Sequence, residues 1–126
     1  MIEETNGKLR DIVAYGWIGL LLAQLATFIT TILASGIESI TANVSPPAIW
    51  AMTVFTCINL LMPMAIRTFE VRAFRWIVFG LTILYTVIFF LHLFIGQATP
   101  VVVLRLIMMI MGGGATVAAF KWARLN

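Results

Sequence analysis

Six side chains in this sequence could do chemistry in otherwise apolar surroundings: Gln24, Asn59, Thr82, Thr86, His92 and Arg105. An amide or guanidinium in hydrocarbon is costly when unpaired, so such residues either bond to a neighbouring helix or line a path for something that moves. Gln24 and Asn59 lie near mid-depth of their apolar runs and are expected to act as glue between helices. Thr53, Thr56, Asn59 and Pro63 recur at three- and four-residue intervals, which aligns them on one helix face and ends it in a kink. Arg105 follows Pro100 by about 7–8 Å of helix, close enough to snorkel to headgroups or pair with a loop acid; an intersubunit contact and an anion path are the sharper alternatives. His92 suits an interfacial hydrogen bond, with haem ligation by two copies of the chain as a distant third possibility.

The sequence offers little for catalysis. Its acids, Glu3, Glu4, Asp11, Glu38 and Glu70, all fall outside the apolar runs, so no buried carboxylate is available to couple transport to protons. Cys57 is the single cysteine, which removes an intramolecular disulfide and a thiolate metal cluster within one chain. No metal-ligand spacing, phosphate-cradling loop or nucleophile elbow is present, since Gly112-Gly113-Gly114 lies inside an apolar run and not after a strand. Neither enzymatic activity nor a cofactor is therefore expected. Basic residues sit at segment ends and the net charge is only +3, so the clustered footprint of a nucleic-acid binder is missing.

The elements that must position these side chains are set by composition. The chain has 126 residues, 62% hydrophobic and 10% charged, too little polar surface for a water-soluble domain. Runs at about 12–34, 48–66, 75–95 and 101–120 each suit one crossing of a hydrocarbon layer about 30 Å thick. The expected fold is all-α: a single-domain bundle of four transmembrane helices with antiparallel neighbours. Residues 1–11 read as a tail, 35–47 as a polar loop with Pro46-Pro47 opening the second helix, and 96–100 as a tight turn. Tyr15, Trp17, Trp50, Trp76 and Trp122 stand near run ends, where amphipathic rings favour the headgroup level. Gly16, Gly19 and Ala23 share one face of the first helix and predict a close packing seam. Gly112, Gly113 and Gly114 predict close packing in the fourth, or a hinge.

Orientation follows from the basic residues. Lys8, Arg10, Arg67, Arg72, Arg75, Lys121 and Arg124 are seven of the eight, and all fall on one side if the tail, the middle loop and the C-terminus are placed inside. The positive-inside rule then puts both termini in the cytoplasm, and a bacterial inner membrane is the expected site. Arg67, Glu70, Arg72 and Arg75 are expected to contact lipid headgroups or a cytoplasmic partner. The leading functional expectation is a structural or accessory subunit, in contact with the lipid bilayer, that self-associates or joins a larger membrane complex. An oligomeric pore or small transporter lined by Gln24, Asn59, Thr82 and Thr86 is the alternative.

Overall fold

All four apolar runs form helices in the computed structural model, which describes residues 1–36, 38, 44–92 and 99–125, with the side chains of Ile2, His92, Thr99 and Pro100 outside that description. The helices are α1 (Ile2–Ser35), α2 (Pro46–Thr68), α3 (Arg72–His92) and α4 (Thr99–Arg124), and each is long and apolar enough to cross a membrane. Residues 96–98 of the expected turn, 37 and 39–43 of the expected 35–47 loop, and 93–95 of the third expected span lie outside the described residues, while Thr99 and Pro100, expected in the turn, open α4.

The start of α1 differs from the expected tail. Helix begins at Ile2, and its 34 residues span about 51 Å, well beyond the hydrocarbon layer. The reason is local. Glu3 and Glu4 sit in the first turn, where the helix dipole favours negative charge, and Glu4 pairs with Lys8 one turn on at 2.6 Å. At its other end α1 stops at Gly36, whose N–H donates to Ile32 O (2.9 Å) and whose φ of +76° carries no Cβ penalty.

Pro46 and Pro47 open α2 after Ser45, where a missing amide proton costs nothing. The link from α2 to α3 is Phe69-Glu70-Val71, in which Phe69 leaves the helix in an extended conformation. Around the bundle, α1 packs most extensively on α4, α4 on α3, and α1 on α2. The ring closes between α2 and α3 through the stacked rings of Phe55 and Tyr85, 4.3 Å apart.

The core is strongest toward the termini. Val13, Trp17, Val78, Ala119, Trp122 and Ala123 are each fully buried there. Gly16 makes the α1–α4 approach possible, since a Cβ added there would meet Ala115 Cβ at 2.6 Å. Outward-facing Leu22, Ile29, Trp50, Leu61, Met64 and Ile110 leave the exterior apolar, the surface that a bundle in hydrocarbon presents.

Candidate functional site

The expected polar residues separate into three places. At mid-bundle, Asn59 of α2 is 1% exposed; its Nδ2 donates to Gln24 Oε1 on α1 (3.2 Å) and to Phe55 O (3.0 Å). Pro63 lies four residues on and has no N–H, so the Asn59 carbonyl loses its helical partner. Asn59 Oδ1 is buried without a hydrogen-bond partner among the described residues. The three- and four-residue spacing in α2 therefore produces one amide that faces α1, while Thr53 and Thr56 donate back to Ile49 O and Met52 O.

One to two turns toward the termini lies an aromatic and hydroxyl layer. Trp17 Nε1 donates to Thr82 Oγ1 (3.2 Å), and Thr82 Oγ1 donates to Val78 O (2.7 Å). Tyr85 stacks on Phe55, meets Trp17 at 4.9 Å between ring centroids, and donates its hydroxyl to Phe55 O at 3.5 Å. Thr86 donates to Thr82 O and faces Thr116 Oγ1 across α4 at 3.4 Å. Thr82 and Thr86 are thus consumed in helix contacts and do not share a lining with Gln24.

Two of the tryptophans expected near run ends, Trp17 and Trp122, are fully buried inside the bundle and do not lie on its outer surface. Each ring has its N–H partner inside the protein, Thr82 for Trp17 and Asn6 Oδ1 (2.7 Å) for Trp122, which removes the reason to sit at the wet boundary. Tyr15, by contrast, is exposed, under the Arg67 guanidinium at 5.3 Å.

The third place is a half-open groove of about 670 Å³ in the half of the bundle away from the termini, lined by residues from all four helices. Gln24, Thr27 and Thr31 of α1, Thr56 of α2 and Arg105 of α4 supply its polar groups, and Phe28, Phe55, Phe89 and Met108 much of the apolar remainder. Arg105 is partly buried and engaged within the chain. Sequence reasoning found Gln24 and Arg105 but missed Thr27 and Thr31 as groove residues. Their spacing from Gln24, at three and seven residues, was the available signal.

The basic cluster is largely occupied. Arg10 pairs with Glu70, Arg67 with Asp11 at 3.6 Å, and Arg75 donates to Trp122 O (3.4 Å) and Leu125 O (3.2 Å), capping the end of α4. Arg72 is exposed. These pairs bring the start of α1, the end of α2, the start of α3 and the end of α4 to one end of the bundle. The His92 side chain, and with it haem ligation, lies outside the described residues. Among the described residues, no three His, Cys, Asp or Glu side chains group as a metal site would require.

Of the glycines read as a seam, Gly16 abuts Ala115, Gly19 the Met111 side chain, and Gly112 the Thr86 hydroxyl, while among the described residues nothing would lie within 4 Å of a Cβ at Gly113 or Gly114. Ala23 is buried and its carbonyl accepts from Thr27. Gly112 to Gly114 continue the helix of α4. No family model, no curated protein and no solved structure matches the chain.

Proposed function

We propose that this chain is a non-catalytic subunit of a bacterial inner membrane, inserted with both termini cytoplasmic, that assembles with itself or with a larger membrane complex. The observation that carries this reading is how the buried polar groups are used. Asn59, Thr82 and Thr86, three of the four side chains that would line a pore, are spent on contacts between helices. Support for the orientation comes from seven basic residues at the end that holds both termini. Support for assembly comes from α2, which packs mainly on α1 and turns Trp50, Leu61 and Met64 outward.

Extraction of the intact chain from native membranes within lipid discs, followed by native mass measurement, tests the proposal. A defined oligomer or hetero-complex is expected. A population made only of single chains would sink it.

The four-helix groove favours a second reading, a pore or small transporter, but along a different route from the one the sequence suggested. Its path would follow Gln24, Thr27, Thr31 and Arg105. Solute flux in liposomes that is lost in Thr27→Trp would support that reading.

A further inference from the structure

A second groove, of about 780 Å³ and widely open, lies at the end of the bundle that holds the termini, with Leu9 of α1, Phe79 of α3 and Val117, Phe120, Lys121 and Arg124 of α4 in its lining. We infer that it holds an anionic phospholipid, the phosphate between Lys121 and Arg124 and the upper part of one acyl chain along Leu9, Phe79, Val117 and Phe120. This rests on the insertion of the four helices in a bilayer, and not on the assembly proposed above.

The basic residues of the chain are unequally occupied. Ion pairs among the described residues take up Lys8, Arg10 and Arg67, Arg75 donates to the Trp122 and Leu125 carbonyls, and Arg105 is engaged in the other half of the bundle. Lys121 and Arg124 are exposed and have no ion pair or hydrogen bond among the described residues; Arg124 lies over the Phe120 ring, 5.4 Å from its centroid. The open carbonyls at the end of α4 do not occupy them, because Arg75 serves that end. Three residues apart, the two cations are neighbours on one helix face. No carboxylate lines the groove, and its two threonines donate to their own helices, Thr5 to Met1 O and Thr116 to Gly112 O. The donors left for an anion are those of Lys121 and Arg124.

The groove also has the direction of a lipid. From Arg124 back to Thr116 it follows α4 for about 12 Å, from a cationic end to an apolar one. Trp76 stands beside it, 5.7 Å from Phe79 and 6.4 Å from Phe120 between ring centroids. Unlike Trp17 and Trp122, this indole is 42% exposed and its N–H has no partner among the described residues, the situation of a ring at headgroup level. Basic pockets between membrane helices suit anionic headgroups. A second copy of the chain suits this groove less, since a two-fold contact joins the same patch on both copies and would set like charges against each other.

The test uses the purified full chain in a neutral maltoside detergent, with bound lipid counted by native mass spectrometry. The probes are dioleoyl phosphatidylglycerol, dioleoyl phosphatidylethanolamine and inorganic phosphate. Phosphatidylglycerol should bind roughly thirtyfold tighter than phosphatidylethanolamine, from about 1 kcal/mol for each of two basic residues near the surface. Lys121→Gln combined with Arg124→Gln should reduce that preference to about threefold or less, while Arg72→Gln, at an exposed arginine outside the groove, should leave it unchanged. Should the double variant fail to fold, the wild-type ratio and Lys121→Gln alone still decide. Equal binding of the two lipids would overturn the inference, as would a preference that survives the double variant or is lost in Arg72→Gln. Displacement of the lipid by inorganic phosphate at the same concentration, or a dimer that excludes lipid, would also overturn it.

Discussion

The half of the bundle that holds the termini and the half that holds the four-helix groove are built from the same four helices but packed by different means. Near the termini, Gly16 lets α1 approach Ala115 of α4, and Trp17 and Trp122 fill the remaining volume with their polar ends satisfied. Away from the termini the facing residues are larger. Met108 meets Thr27 at 3.7 Å, and Phe55 and Phe89, with ring centroids 6.5 Å apart, stand between α2 and α3. Small residues on both partners close a helix contact, and bulky residues on one of them leave space. In lipid this difference matters more than in water, because helices are held by direct packing and not by expulsion of solvent.

The comparison breaks most sharply at Trp17. Trp17→Ala should cost about 3–5 kcal/mol by unfolding in bicelles, as for a large side chain removed from a tight core. Phe28→Ala, on the wall of the four-helix groove and 45% exposed, should cost about 1 kcal/mol or less. Similar losses at the two sites would mean that the halves are packed alike.

Glycine substitutions give the next largest effect. Gly16→Ala places a methyl against Ala115 Cβ, which has no flexible end to move aside, and should cost about 1–3 kcal/mol. Gly113→Ala meets nothing within 4 Å and should be neutral or stabilising by up to about 1 kcal/mol, since alanine favours helix. Thermal midpoints of the two variants in one detergent would show the ordering.

The smallest effect lies at the boundary between the halves. A double-mutant cycle on Gln24→Ala and Asn59→Ala should return a coupling of about 0.6 kcal/mol and no more than about 1.7, the range for hydrogen bonds between membrane helices. Zero coupling would mean that Asn59 does not hold the Gln24 amide.

The number of helices was legible because it depends on length and composition. Runs near the span of a bilayer, Pro46-Pro47 at a start and basic residues at the ends are local features. The small-residue face of α1 was legible for the same reason, since a spacing of three or four residues lies within one segment. The helical start at Ile2 was missed, although the Glu4–Lys8 pair encodes it, because Gly7 and mixed charge gave the appearance of a tail.

Which surface each face meets could come only from the tertiary structure. Gly16 finds Ala115, Arg10 finds Glu70 and Trp122 finds Asn6 across separations no local pattern registers. Trp17 illustrates the consequence: an indole near the end of an apolar run suits an interface or a core equally well, and the choice depends on whether Thr82 of another helix is there to accept its N–H. Arg105 has the same dependence. Its depth follows from counting along one helix, but its place on a groove wall follows from how far three other helices stand from α4, and that distance is set by side-chain volumes on all of them.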